Sequence, residues 1–244
     1  MDDPLDFSGK TVLVVGGSSG IGNGVAHGFR ERGATVHVWG TRANASDYSA
    51  DEGSDLEGLV YAKVDVGVRA EIDAAPALEP LDVLVLCQGT VAYKRAEFRP
   101  EAWNRVMAVN LDSLMDCARK FHDTLAARRG VIIIVSSVSG FTSNRGNPAY
   151  AASKAGAVSL TKTLGEAWAH DGIRVVGLAP GLVDTKLTKV TTENPARLEG
   201  ALRSIPLGRM GTPRDMAGAA LLLASPLAGY VVGQTLIVDG GLSL

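Results

Sequence analysis

Cysteine occurs only twice in the 244 residues, at Cys87 and Cys117, and both stand in apolar stretches. That usage argues against a disulfide framework or a cysteine metal site and points to two reduced, buried thiols. An excess of either charge is also missing: 24 Lys and Arg face 26 Asp and Glu, a net charge of −2. A nucleic-acid partner is therefore not expected. Apolar runs such as Val131 to Val135 are far shorter than the roughly 20 residues a membrane-crossing helix needs. Met1 to Lys10 carries three aspartates and no apolar core, unlike a secretory leader, so a cytoplasmic location is expected. Linkers, repeats and low-complexity tracts are lacking too, which predicts one domain over residues 1–244.

What the chain does have is apolar material in abundance, 46% against 20% charged residues, enough for a large core. It is distributed as short β-branched and aliphatic runs: Thr11 to Val15, Thr35 to Trp39, Leu59 to Val64, Val83 to Leu86, Val131 to Val135, Arg174 to Leu178 and Thr235 to Val238. The runs are apolar throughout and do not alternate, the pattern of parallel strands buried on both faces. Stretches of helical periodicity separate nearly all of them. The pattern predicts an α/β fold, a doubly wound parallel sheet of about seven strands with right-handed crossovers. Ligands of such sheets bind beyond the carboxyl ends of the strands, so the residues just after each strand are the ones to inspect.

Directly after the first strand comes Gly16-Gly17-Ser18-Ser19-Gly20-Ile21-Gly22, leading into a helical stretch from Asn23 to Arg32. Glycines let the backbone turn tightly and approach a pyrophosphate, while the helix start offers free N–H groups and a positive dipole. A glycine-rich turn by itself is often a plain connection; here it follows a buried strand and opens a helix. The spacing resembles the cofactor turn of the short-chain dehydrogenase/reductase family, whose members are Rossmann-fold NAD(P)-dependent oxidoreductases. The family commonly has threonine before the first glycine, where this chain has Val15.

The second strand ends in Trp39-Gly40-Thr41-Arg42, with no acid to accept from a ribose 2′-hydroxyl. Arg42 is then a candidate partner for a 2′-phosphate, with Thr41 beside it, and NADP(H) is favoured over NAD(H). The alternative for Arg42 is a solvated loop cation. Asp65, followed by Val66, matches the family's acidic residue near the adenine ring; an ordinary helix N-cap is the bland reading.

The strongest signal is Tyr150-Ala151-Ala152-Ser153-Lys154 on a helical stretch reaching about His170, which puts Tyr150 and Lys154 on one helix face. A phenol titrates near ~10, so service as a base at neutrality requires lowering it by about three pH units, roughly 4 kcal/mol, and a neighbouring ammonium is expected to supply this. Serines follow the fifth strand at positions 136, 137 and 139, and serines at strand ends are commonly turn formers. The family resemblance selects Ser137 by its offset from Tyr150. It also assigns Asn110, within a helical stretch from Pro100 to Phe121, as the residue that interrupts a helix and holds a relay water. Asn110, Ser137, Tyr150 and Lys154 thus match the family's catalytic tetrad.

Pro180-Gly181-Leu182-Val183-Asp184-Thr185 matches the segment in which the family contacts nicotinamide and phosphate, with Pro180, Gly181, Val183 and Thr185 as candidate contacts. Val238-Asp239-Gly240-Gly241 matches the family's closing sequence. One departure stands after the fourth strand, where the family's Asn-Asn-Ala-Gly is replaced by Leu86-Cys87-Gln88-Gly89. Only Gly89 is retained, and altered packing is expected there. The connection from Asp65 to Leu81 also looks short, suggesting a truncated helix.

The resemblance implies interconversion of a secondary alcohol and a ketone by hydride transfer, with Tyr150 as general acid/base and no metal. Residues 184–205 correspond to the family's substrate lid. A 3-oxoacyl carrier-protein reductase is the alternative, with Arg128-Arg129 as a possible dock for an acidic carrier; two cations ending a helix also simply complement its dipole. A non-catalytic NAD(P)-binding sensor is the reading from another class. A homo-oligomer, tetramer or dimer, is expected, with residues 215–244 as its interface.

Overall fold

A computed structural model describes residues 3–49 and 53–244. Seven strands form one parallel sheet in the order β3-β2-β1-β4-β5-β6-β7. They are β1 Thr11–Val15, β2 Thr35–Gly40, β3 Val60–Lys63, β4 Val83–Leu86, β5 Val131–Val135, β6 Arg174–Pro180 and β7 Thr235–Val238. The order reverses direction between β1 and β4. Crossovers from β1 leave toward one side and those after β4 toward the other, which opens a crevice at the carboxyl ends of these two strands.

The period-2 geometry of a strand sorts β5 into two cores. Val131, Ile133 and Val135 join one with Val25, Phe29, Met216 and Ala220. Ile132 and Ile134 join the other with Leu114, Phe121, Leu125 and Leu164. The helices covering the first face are α1 Gly20–Glu31 and, in the numbering of the whole chain, α9 Pro213–Ala224. The second face carries α2 Arg69–Ala74, α3 Pro100–Met107, α4 Ser113–Lys120, α5 His122–Arg128 and α6 Pro148–Trp168. The segment between β6 and α9 holds α7 Lys189–Thr192 and α8 Pro195–Ser204.

One feature differs from the sequence expectation. The edge strands are not buried on both faces: Val60 in β3 is 50% exposed, and Leu236 and Ile237 in β7 are 40% and 38% exposed. An edge strand has one neighbour, so its apolar run reports strand propensity more than burial. The helical stretch over 100–121 is interrupted at Asn110, as the resemblance implied, by a π-helical turn, Ala108–Asp112, with Asn110 at its centre. The short link from Asp65 to Leu81 holds a short helix, the six residues of α2, in line with the truncated helix expected there.

Ile133 is fully buried at the centre of the sheet. Ile133→Ala is expected to cost about 2–5 kcal/mol of stability by urea unfolding; an unchanged midpoint and slope would contradict the layered core.

Candidate active site

Parallel pairing with β2 on one side and β4 on the other sets the position of the glycine turn. Gly16 turns the chain with φ +75°, and a Cβ there would lie 2.9 Å from Gln88 Cα of the β4 turn. At Gly22 a Cβ would lie 2.2 Å from the Gly16 carbonyl oxygen, so glycine is what allows α1 to seat against its own approach loop. The first turn of α1 carries no acid, and Ser18, Ser19, Gly20, Ile21 and Gly22 line a cleft of ≈ 440 Å³. Among these, the Gly20 N–H donates to the Gly53 carbonyl at 3.2 Å.

The same cleft is lined by Thr41, Asp65, Val66 and Gly89, by Pro180, Gly181, Val183 and Thr185, and by Ser137, Tyr150 and Lys154. Residues drawn from six strand ends, β1 to β6, therefore meet, as the fold rule requires. Asp65 is not a helix cap: α2 is capped at Val68, and the Asp65 carboxylate accepts from Gly67 N at 2.9 Å and pairs with Arg105 at 3.3 Å. Arg42 stands apart from the cleft wall. Its guanidinium hydrogen-bonds the Asp47 carbonyl and lies 4.6 Å from the ring centroid of Tyr48.

Helix α6 starts at Pro148 behind Asn147, and its 3.6-residue period stacks Lys154 one turn below Tyr150. The Lys154 Nζ lies 5.7 Å from the Tyr150 ring centroid and donates to the Val135 carbonyl at 3.0 Å. Ser137 hydrogen-bonds the phenol, while its Oγ also accepts from Ser139 N at 3.1 Å. The neighbouring serines are turned elsewhere. Ser136 donates to the Lys154 carbonyl at 2.7 Å, and Ser139 accepts from Asn144.

The electrostatics correct one expectation. Burial raises the Tyr150 phenol above its ordinary value, and the Ser137 hydrogen bond offsets this only in part. Lys154 is pushed down to about 8 because its ammonium is removed from water. The protein groups by themselves thus hold the phenol protonated, since desolvation disfavours the charged form of each partner. Burial likewise pushes the Cys87 and Cys117 thiols up to about 12, in keeping with two inert, reduced thiols.

Asn110 is completely buried beside this pair but does not line the cleft. Its Oδ1 accepts from Thr90 N at 2.7 Å, and its Nδ2 donates to the Thr90 carbonyl at 2.9 Å and to Ser153 Oγ at 3.2 Å. The side chain therefore pins the β4 loop to α6, and both amide hydrogens are spent on protein. In the departing Leu86-Cys87-Gln88 segment, Leu86 is core, and Gln88 Nε2 bonds Ser113 Oγ at 2.9 Å. Gln88 Oε1 is buried with no hydrogen-bond partner among the described residues.

Beyond β6, Thr185 and Thr188 cap each other's turn, and the Tyr93 hydroxyl bonds the Leu187 carbonyl, joining the 184–205 segment to the β4 loop. Asp239 closes the C-terminal turn by accepting from Gly241 N and Ser243 N, both at 2.8 Å. Gly181 packs on that turn and donates to the Val238 carbonyl. Arg128, considered as a dock, is held by Asp82 at 3.0 Å.

Sequence reasoning missed Glu97. It is 1% exposed, and its carboxylate accepts from Tyr150 N at 2.9 Å, Ala92 N at 3.0 Å and Asn147 Nδ2 at 3.1 Å. One carboxylate thus stabilises the positive end of α6 and ties the β4 loop to it. A single glutamate in an irregular loop has no periodicity by which to find it. Lys186 and Leu187 of the expected lid segment also line the cleft, as does Arg105, which was not anticipated. Among the described residues, no cluster of His, Cys, Asp and Glu suits a metal ion, and no helix is long and apolar enough to cross a membrane.

The cleft suits a dinucleotide on its own geometry: a glycine turn only glycine can make, helix amides without a neighbouring acid, and a buried cation at the far end. Comparison with known proteins agrees. Residues 15–243 match the family model described as enoyl-(acyl carrier protein) reductase. The chain is 37% identical over 247 residues to the 3-oxoacyl-(acyl-carrier-protein) reductase of Chlamydia muridarum, covering 96% of this chain and 97% of that one. It is 38% identical over 242 residues to the L-tagatose-forming galactitol 2-dehydrogenase of Cereibacter sphaeroides, covering 96% and 95%. A crystal structure of a gluconate 5-dehydrogenase from Burkholderia cenocepacia in complex with NADP and tartrate is 32% identical. It superposes with a TM-score of 0.87 over 99% of both chains.

Two measurements check this geometry. Glu97→Ala leaves the N–H groups of Tyr150 and Ala92 without their acceptor and is expected to cost at least about 2 kcal/mol by urea unfolding; wild-type stability would contradict the role. Lys154 has a lowered folded-state value, so between about pH 8 and 10.5 the unfolded chain holds a proton that the folded chain has lost. Stability of the wild type relative to Lys154→Met is therefore expected to rise across that window, by up to roughly 3 kcal/mol; a flat difference would show that the ammonium is not desolvated.

Proposed function

The chain belongs to the short-chain dehydrogenase/reductase family and is an NAD(P)-dependent oxidoreductase of the Rossmann fold; on that premise we propose that it interconverts a secondary alcohol and a ketone with Tyr150 as general acid/base. The observation that carries this is the convergence of Ser137, Tyr150 and Lys154 on the cleft that the glycine turn opens.

When bound, a nicotinamide cofactor would supply the hydride chemistry and, in its oxidised form, a positively charged ring. In the oxidative direction Tyr150 acts as phenolate and takes the hydroxyl proton while the carbinol carbon gives up hydride. In the reductive direction the phenol donates its proton to the carbonyl oxygen. Ser137 orients that oxygen by a hydrogen bond. The Lys154 ammonium, beneath the phenol ring, favours the phenolate. Burial opposes ionisation of the phenol and lowers Lys154 itself, so Lys154 does not account for the activation unaided. Asn110 acts by position, holding the β4 loop against α6, and its backbone rather than its spent amide is left to hold a relay water.

Gly16 and Ser18 to Gly22 would hold the pyrophosphate, Asp65 and Val66 the adenine side, and Lys154, Gly89, Pro180, Gly181, Val183 and Thr185 the nicotinamide half. NADP(H) is the proposed cofactor over NAD(H): β2 ends without an acid. The gluconate 5-dehydrogenase neighbour was crystallised with NADP. A small carbonyl or alcohol is the proposed substrate, under a lid at 184–205. The names of the relatives favour both polyol chemistry and 3-oxoacyl carrier-protein reduction. Turnover assays of carrier-linked 3-oxoacyl substrates, polyols and sugar acids with both cofactors separate these two readings. Cofactor binding with no turnover on any of them would favour the sensor. The proposal extends to one domain over 1–244, a cytoplasmic location and a homo-oligomer. Exposed Leu227, Tyr230, Leu236 and Ile237 near the C-terminus support the last.

Tyr150→Phe is expected to lower kcat at least a hundredfold while the cofactor Kd stays within a few-fold. Wild-type turnover by this variant would refute the proton-transfer role.

A further inference from the structure

The end of β2 carries a group that the proposed mechanism does not use. The side chain of Tyr48, on the loop after β2, folds back so that its Oη accepts the backbone N–H of Thr41 and that of Arg42, each at 3.1 Å. The Ser18 hydroxyl of the glycine turn shares a hydrogen bond with the same oxygen. The Arg42 guanidinium lies over the ring at 4.6 Å, and the Tyr61 ring packs edge-on at 5.6 Å. The carboxylate of Asp47, one residue before Tyr48, accepts from Asn44 N at 2.8 Å.

Two adjacent backbone N–H groups and a hydroxyl gathered around one oxygen, with a guanidinium over the attached ring, make up the donor set of a phosphate site. Its place in the fold is specific. Gly16 N bonds the Trp39 carbonyl, so the end of β2 lies against the glycine turn, and Ser18 and Thr41 both line the cleft. In this fold the carboxyl end of β2 faces the adenosine ribose, where a 2′-hydroxyl or a 2′-phosphate is told apart.

We propose that Tyr48 is a specificity-determining residue: its hydroxyl stands in for a phosphate oxygen on the N–H groups of Thr41 and Arg42, and a cofactor 2′-phosphate binds by displacing it. This rests on the cofactor assignment above. A ribose 2′-hydroxyl is a smaller, neutral group and does not need the displacement, so Tyr48 taxes NADPH and spares NADH. The loop is built to allow the exchange, because residues 43–47 are exposed and Tyr48 itself is only half-buried.

Isothermal titration of NADPH and of NADH into the full chain tests this without any substrate. In Tyr48→Phe the ring and its packing on Tyr61 remain, while the competing oxygen is gone. The variant is expected to bind NADPH about tenfold tighter and NADH within twofold of the wild type. Tyr48→Ala is expected to move the ratio of the two Kd values the same way. A ratio unchanged within twofold in both variants, or equal tightening of both cofactors, overturns the role of Tyr48 while leaving the cofactor assignment intact. A folded wild type that binds neither cofactor overturns the proposed function and this inference with it.

Discussion

Lys154 places an almost fully buried positive charge at the wall of the cleft, and much of the site is arranged around holding it there. Its ammonium bonds one protein oxygen, the Val135 carbonyl at the end of β5, and lies under the Tyr150 ring. An ammonium so buried is costly, which is why it is pushed down to about 8. The cost is met by the rigidity of its surroundings. β5 is central and buried along its whole length, and Ser136 fastens the Lys154 backbone to the strand end. The same burial that destabilises the ammonium raises the phenol, so the pair is poised rather than active. A further positive charge beside them has a large effect on a phenol so placed, because the local dielectric is low.

That arrangement is a consequence of sheet order. With β1 and β4 adjacent and their crossovers diverging, the glycine turn, the β4 loop and the end of β5 face one crevice. Two side chains outside the reacting pair keep these pieces in register. Asn110, from the π-helical turn, clamps Thr90 on both its N–H and its carbonyl, and Glu97 collects the first amide of the Tyr150 turn together with Ala92 and Asn147. At the opposite end of the cleft, Tyr48 performs a similar service for the β2 end. The site is thus braced at both ends by polar side chains that never touch the reacting atoms.

Seven strands were legible because buried parallel strands are written as uninterrupted apolar runs, and the glycine turn because its backbone excludes other residues. The Tyr150–Lys154 pair was legible because helical period alone puts them together. Other features were not. Apolar runs at β3 and β7 look the same whether or not a helix covers them, so their exposure was missed. The direction of the Tyr150 perturbation depends on how much water burial removes, a property of the packed cleft rather than of any motif. Glu97 and Tyr48 act through backbone amides distant in sequence or folded back by a loop, contacts that no spacing rule encodes. Arg42 was identified for its charge, yet its position follows from Tyr48 beneath it.

The account turns on the Tyr150 phenol being held high by the protein and brought down when a dinucleotide fills the cleft. Chain carrying tyrosine labelled with carbon-13 at Cζ, with the Tyr150 resonance assigned by its loss in Tyr150→Phe, allows that phenol to be titrated directly by NMR. The expected result is a midpoint above ~10 for the protein alone, falling by at least about two pH units on addition of oxidised cofactor. A midpoint that does not move with cofactor bound would contradict it.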